Sequence, residues 1–257
     1  MLNYRVVNAV FFPLLTITTL LRIFVFDIHW IIYLILITVY LFLNIYGSFN
    51  IAFNYYLKSI CKADTDKKII SLTFDDGPDG KLTPVILDIL KRNDITATFF
   101  VIGEKAAAAP EIIKKIDNYG NIIGNHSYHH SDYFDFIPIG KMIKELNDTQ
   151  NIISNIINKK MTFFRPPFGV TNPLIRKLVR KTGVTSIGWS LRSYDTKIKE
   201  RSLIIKRIKK VKSGDILLFH DNKEITTEIL QDVIDLCRSK GFKFVNLDEL
   251  IKKNAYV

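Results

Sequence analysis

Apolar positions follow two regimes along the chain. From Val6 to Phe26 and again from Ile28 to Phe49 they run almost without interruption. Each run matches the roughly 20 residues needed to cross a ~30 Å hydrocarbon core. Asp27 to Trp30 is the polar punctuation between them. Pro13 lies inside the first run, where a kink is tolerated, and Arg22 is close enough to its end to snorkel toward headgroups. The pattern predicts two retained transmembrane helices in a tight hairpin. A secretory signal has a shorter apolar core and a small-residue cleavage site, and neither is evident.

Past Lys58 the pattern changes to short β-branched or aromatic runs separated by helix-length amphipathic stretches. Strands are predicted at Ile69 to Phe74, Thr96 to Ile102, Asn121 to Gly124, Met161 to Phe164, Thr185 to Trp189, Asp215 to Phe219 and Phe242 to Asn246. Thr83-Pro84 reads as the N-cap and first-turn proline of a helix. Pro110 opens another that Gly120 closes, and Asn172-Pro173 and Gly183 bracket a third. A further helix, basic on one face, is predicted within Lys197 to Lys212. Repeated strand-helix units predict a largely parallel sheet, and seven strands suggest an α/β fold of the distorted (β/α)7-barrel type, with an open doubly wound sheet as the alternative. The expected organisation is a membrane anchor over 1–57, a linker over 58–67 and one globular domain over 68–257.

Charge sharpens that division. Residues 1–57 hold 41 apolar side chains and only Arg5, Arg22 and Asp27 as charges, whereas the remaining 200 residues carry 34 Lys and Arg against 24 Asp and Glu, a net +10. That balance suits an anionic partner such as a polyanionic glycan, a phospholipid headgroup or a sugar phosphate. Nucleic acid is not expected, because no basic-aromatic platform or recognition motif is visible. Disorder and collagen-like repeats are excluded by composition. Cys61 and Cys237, with no C-x-x-C, provide neither a disulfide scaffold nor a thiolate metal site.

Candidate chemistry gathers at predicted strand ends. Asp75-Asp76-Gly-Pro leaves a buried strand with two adjacent carboxylates, which resist joint ionisation unless a cation is present. His126 and His130 follow a second strand four residues apart, a spacing that on one helical face suits a single Zn²⁺; His129 competes at three apart. Asp76, His126 and His130 would form a two-His, one-carboxylate set with room for water, the ligand type of a catalytic zinc site and also of non-haem iron. Arg165 precedes a rigid Pro-Pro turn and could pair with a carboxylate, His220 leaves a buried strand, and Asp195 lies six residues after Trp189. In parallel α/β folds such groups collect at the carboxyl ends of the strands. The segment Gly103 to Pro110 shows no readable chemistry.

The ordered set Thr-Phe-Asp75-Asp76-Gly-Pro, His126-Ser-x-x-His130, Arg165-Pro-Pro-Phe-Gly, Asp195 and Leu218-x-His220 resembles the NodB-homology polysaccharide deacetylases, carbohydrate esterase family 4, from about Lys68 to the C-terminus. The resemblance implies a distorted (β/α) barrel and metal-dependent removal of acetyl groups from an N-acetylated sugar, with zinc the first expectation and other divalent transition metals compatible. It implies Asp75 as catalytic base, Asp76, His126 and His130 as metal ligands, Arg165 orienting Asp75, His220 as acid, Asp195 tuning His220, and the Phe168 backbone N–H as oxyanion donor. Two departures are Thr196 where the family often has Trp after the acid, and Phe168 where it often has Tyr.

The expected substrate is a cell-envelope glycan of the peptidoglycan or poly-N-acetylglucosamine kind. A lipid-linked sugar is the nearest alternative, and a non-catalytic glycan-binding or assembly protein is the other. A hairpin returns the chain to the side on which it began. Arg5, Lys58, Lys62, Lys67 and Lys68 against Arg22 favour a cytoplasmic domain, but long domains translocate largely regardless of charge. The substrate class places the domain outside the cytoplasmic membrane, with the hairpin in contact with lipid.

Overall fold

The computed structural model describes residues 2–257. Two helices lead, α1 (Tyr4–Phe24) and α2 (Ile31–Phe49), both long and apolar enough to cross a membrane. Asn3 starts α1 two residues earlier than the apolar run alone suggests, because its side chain accepts the N–H groups of Arg5 and Val6. The turn between the helices is longer than predicted, so α2 begins at Ile31 rather than Ile28. Phe11 stacks on Tyr40 across the hairpin with centroids 4.1 Å apart, while Val10, Ile17, Ile35 and Phe42 remain exposed.

The sheet comprises β1 (Ile69–Asp75), β2 (Thr98–Val101), β3 (Ile122–Asn125), β4 (Phe163–Phe164), β5 (Thr185–Ser186), β6 (Leu191–Arg192), β7 (Ile216–His220) and β8 (Lys243–Phe244). Around it lie α3 (Leu82–Arg92), α4 (Gly103–Ala108), α5 (Pro110–Asn118), α6 (Ile139–Ile157), α7 (Pro173–Thr182), α8 (Arg201–Ile208), α9 (Glu224–Ser239) and α10 (Leu247–Ile251). Spatial order is β5-β4-β3-β2-β1-β7-β6, with β8 beside the start of β1. All these pairings are parallel. Among the described residues β5 and β6 do not pair, so the barrel is distorted and incompletely closed, as the sequence pattern predicts. The one strand beyond the seven predicted, β6, escapes prediction because Ser190 to Tyr194 mixes polar and apolar residues over too short a run.

Burial explains the continuous apolar runs. Ile70, Leu72, Phe74, Leu217 and Phe219 pack against the helices, whereas Phe100, Phe163, Ile187 and Ile216 fill the barrel interior. Adjacent residues such as Phe99 and Phe100 thus face opposite layers, as strand geometry requires. Helix ends follow local chemistry with one change. Asn172 caps α7, accepting the Ile175 N–H at 2.9 Å, and Gly183 ends it at φ 73°. At α3 it is Asp79, not Thr83, that accepts the first free N–H groups, from Lys81 and Leu82.

The stretch 58–67, expected as a linker, is tied to the barrel. Ile60 bridges to Ile187 and Lys62 to Asp215, and Cys61 is buried, so this segment lies across the gap beside β5 and β7. Its apolar side chains find cover there instead of facing solvent. The hairpin is docked as well: the Thr171 N–H donates to the Ser48 carbonyl at 2.9 Å, Arg176 bonds the Tyr4 hydroxyl, and the Tyr4 N–H reaches the Tyr55 carbonyl at 3.2 Å.

Candidate active site

Register brings separate strands to one level. Asp75 ends β1 and His220 ends β7 directly opposite it, while His126 follows the last residue of β3 and Arg165 the last of β4. Phe168 and the Asp75–Asp76 turn reach the same cavity, a space of ≈ 290 Å³ lined by Asp75, Asp76, His126, His130, His220 and Phe168 and walled by Trp189, while Asp195 stands behind His220.

Arg165 is wholly buried and has its donors committed. Nη1 donates to Asp75 Oδ1 at 2.6 Å and to Thr73 Oγ1 at 2.9 Å, Nη2 to the Gly188 carbonyl at 2.8 Å and Nε to the Ile187 carbonyl at 3.3 Å. Its guanidinium carbon also sits 4.1 Å from the Phe100 ring centroid. A charge so deep is tolerable only when paired and hydrogen-bonded, and this one is.

The chain then turns to aim the second carboxylate. Asp76 adopts φ 73°, and Gly77 is required beside it because a Cβ there would stand 1.9 Å from Asp221 Oδ2. Lys105 Nζ donates to the Asp76 carbonyl at 2.7 Å, fixing the turn from α4. Asp76 Oδ1 consequently lies 3.5 Å from His126 Nε2 and 3.4 Å from His130 Nε2.

The two imidazoles meet without a helix. Ser127 (φ 66°) and His130 (φ 53°) are left-handed, so the four-residue spacing closes through a loop rather than along one helical face. Asn125 Oδ1 accepts the Ser127 N–H at 2.9 Å and Ser127 Oγ accepts the His130 N–H at 3.1 Å, which stabilises the loop. His129 points elsewhere, with Nδ1 2.7 Å from Glu145 Oε1.

The donor set suits a divalent metal ion. Ligand atoms of Asp76, His126 and His130 all lie within 4.8 Å of one another. His126 Nδ1 is 2.7 Å from the Arg165 carbonyl, so it donates there and leaves Nε2 with its lone pair free. Burial, reinforced by His126, pushes His130 down to about 4 and keeps its ring neutral. Burial opposes ionisation of Asp76, but His126, His220 and His130 outweigh it and hold this carboxyl well below the usual carboxylate range. A neutral His130 and an ionised Asp76 are protonation states that metal binding requires.

Across the cavity, His220 Nδ1 lies 2.8 Å from Asp195 Oδ1, and Asp195 Oδ2 accepts the His220 N–H and the Thr226 hydroxyl, each at 2.7 Å. Burial acts to lower the His220 pKa, yet the bond and charge of Asp195 raise it above the ordinary histidine value. Phe168 sits at φ 57° in the Pro167–Gly169 turn, its ring 4.6 Å from that of His130.

Several participants carry no sequence signal. Lys105 lies in the alanine-rich segment that shows no readable chemistry. Asp221 is buried behind Gly77 and bonded by Thr83 Oγ1 at 2.6 Å, and burial pushes its carboxyl up to about 7. Adjacency to His220 was the only available hint.

Comparison with known proteins gives concordant matches. A family model described as polysaccharide deacetylase matches residues 62–187. Peptidoglycan-N-acetylmuramic acid deacetylase PdaA of Bacillus subtilis is 33% identical over 193 residues, 73% of this chain and 73% of that protein. A peptidoglycan-N-acetylglucosamine deacetylase of Bacillus cereus is 32% identical over 194 residues, covering 73% of this chain and 90% of the relative. Among solved structures, a family 4 carbohydrate esterase pseudoenzyme from Bacillus anthracis matches with TM-score 0.70 and 29% identity, over 77% of this chain and 70% of the other.

Proposed function

Since the chain belongs to the polysaccharide deacetylases of carbohydrate esterase family 4, we propose that it hydrolyses the N-acetyl amide of a sugar in a cell-envelope glycan, with peptidoglycan as the first substrate to test. One observation carries this reading: a buried Arg165–Asp75 pair and a buried Asp195–His220 pair flank a single metal-ligand cluster. The pseudoenzyme relative raises the non-catalytic alternative, and the completeness of these groups in this chain argues against it.

Asp76, His126 and His130 would hold a divalent metal, zinc by first expectation from two imidazoles and a carboxylate. When bound, such an ion supplies Lewis-acid polarisation of the amide carbonyl and acidifies water to a pKa of about 7. Asp75 accepts the proton of the attacking water, and Arg165 holds its carboxylate aimed. The Phe168 N–H stabilises the oxyanion that develops on the carbonyl oxygen as water adds to the amide carbon, a type of contact whose removal costs about 10² to 10³ in kcat elsewhere. His220, made a stronger base by Asp195, carries the proton to the departing nitrogen as the C–N bond breaks. Acetate and a free sugar amine result.

Acetate release by the full-length protein from peptidoglycan, poly-N-acetylglucosamine, chitin and xylan oligomers, with and without chelator, tests the reading. Release from N-acetylated oligomers that chelator abolishes supports it; none from any metal-supplemented oligomer overturns it.

A lipid-linked sugar is favoured as a second reading by a groove of ≈ 620 Å³ between α2 and the barrel. Ile45 and Phe49 of α2 line it together with Phe136, and Phe168 lines both this groove and the catalytic cavity. The hairpin would then hold the domain at the membrane surface on the extracytoplasmic side, where envelope glycans lie.

A further inference from the structure

The catalytic cavity has two cations in its wall that the proposed reaction does not use. Arg192, the last residue of β6, lines it with Lys197. Arg192 is held in place by pairing opposite Leu218 of β7 and by aromatic faces, its guanidinium carbon 5.7 Å from the Trp189 ring centroid and 5.2 Å from that of Tyr194. Arg207 braces this arrangement, donating from Nε to the Arg192 carbonyl at 3.2 Å and stacking on Tyr194 at 4.1 Å.

Despite that scaffolding, the head group has no partner. Nε of Arg192 is buried without a hydrogen bond. Among the described residues neither Arg192 nor Lys197 forms an ion pair. The carboxylates nearby are already committed: Asp75 to Arg165, Asp76 to the two imidazoles, Asp195 to His220. Thr196, also in the wall, has only a small side chain and leaves room beside the cations. A positioned guanidinium with free donors presents the planar fork that matches a carboxylate, and a lysine beside it adds a point charge.

We infer that Arg192, supported by Lys197, recognises a carboxylate carried by the acetylated sugar itself, so that the preferred substrate is an acidic N-acetylated sugar rather than a neutral one. This rests on the deacetylase reading and narrows it. A neutral sugar leaves the two cavity-lining cations without a counter-charge, while a carboxylate on a ring substituent supplies it.

The test compares substrates within one protein. Peptide-free glycan strands containing N-acetylmuramic acid are offered as the free lactyl carboxylate and as its methyl ester, with acetate release measured for full-length wild type, Arg192→Gln and Arg192→Lys. The expected kcat/KM ratio of acid to ester is about 10 to 100 in wild type, for a hydrogen-bonded charge. It should fall to near one in Arg192→Gln, chiefly through KM, and be partly kept in Arg192→Lys. Because the readout is a ratio, a general loss of folded enzyme cancels. A wild-type ratio near one, or a ratio unchanged in Arg192→Gln, overturns the inference. A preference for a sugar phosphate over the carboxylated strand overturns the carboxylate assignment. Failure to release acetate from both forms and from neutral N-acetylglucosamine oligomers overturns the deacetylase reading instead.

Discussion

Arg165 Nη1 stands 2.6 Å from Asp75 Oδ1, with both side chains buried at the carboxyl end of the barrel. The same arginine offers its carbonyl to His126 Nδ1 at 2.7 Å, so one residue orients both the proposed base and a proposed metal ligand. Truncating it leaves a buried carboxylate uncompensated. Arg165→Met should lose about 3 to 5 kcal/mol of stability in denaturant unfolding. Asp75→Asn, nearly isosteric, should keep bound metal while kcat falls about 10² to 10⁴, and it too should lose stability because Arg165 is left buried without its counter-charge. Full turnover in the Asp75 variant would remove its assignment as the base.

Metal removal should stop turnover without unfolding the protein, since the ligands sit on strands and loops already fixed by the core. His126→Ala should lose both bound metal, read by elemental analysis, and acetate release. Undiminished release from protein stripped of metal contradicts the assignment of Asp76, His126 and His130.

The pH profile should report His220. Asp195 raises its pKa, so the protonated ring needed by the leaving nitrogen persists to higher pH, and activity is lost as pH rises through the folded value. Asp195→Asn removes the charge that opposes burial. The alkaline limb of kcat should therefore move to lower pH, with lower maximal activity. A limb that stays in place argues that His220 is not the proton donor.

Asp221 should make stability depend on pH in the opposite sense to an ordinary salt-bridged carboxylate. Burial raises its folded pKa to about 7, above the unfolded value of about 3.9, so the folded state binds more protons between these limits. Its contribution is complete below about pH 4 and is lost as pH rises through about 7. Asp221→Asn should flatten the decline of the thermal midpoint over that interval, and an unchanged slope would assign the decline to another group.

Topology is open to a direct measurement. A reporter fused after Val257 should be active outside the cytoplasm only, and one that works only inside would reverse the orientation while leaving the chemistry untouched.

Periodicity sufficed to indicate the parallel strands because the residues of a buried strand that face the helices must be apolar, as Ile70, Leu72 and Phe74 are. The two apolar runs were equally plain, and the chemically rare residues at strand ends pointed to the site. What misled was local conformation. His126 and His130 are four apart, as on a helix face, but reach each other through a loop with two left-handed residues. Thr83 resembles a cap and serves Asp221 instead. The 58–67 stretch is polar enough to read as a linker, yet Ile60 and Lys62 bridge to residues more than a hundred positions away.

By itself, then, the sequence determined which residue types were available and at what strand ends, since side-chain chemistry and burial period are local properties. Tertiary structure decided which of them meet. Lys105 fixing the Asp76 turn, Asp221 behind Gly77, and Arg192 held beside the cavity with no anion to answer it all depend on distances between segments remote in the chain. Such distances are set by packing of the whole barrel, and no local pattern of residues encodes them.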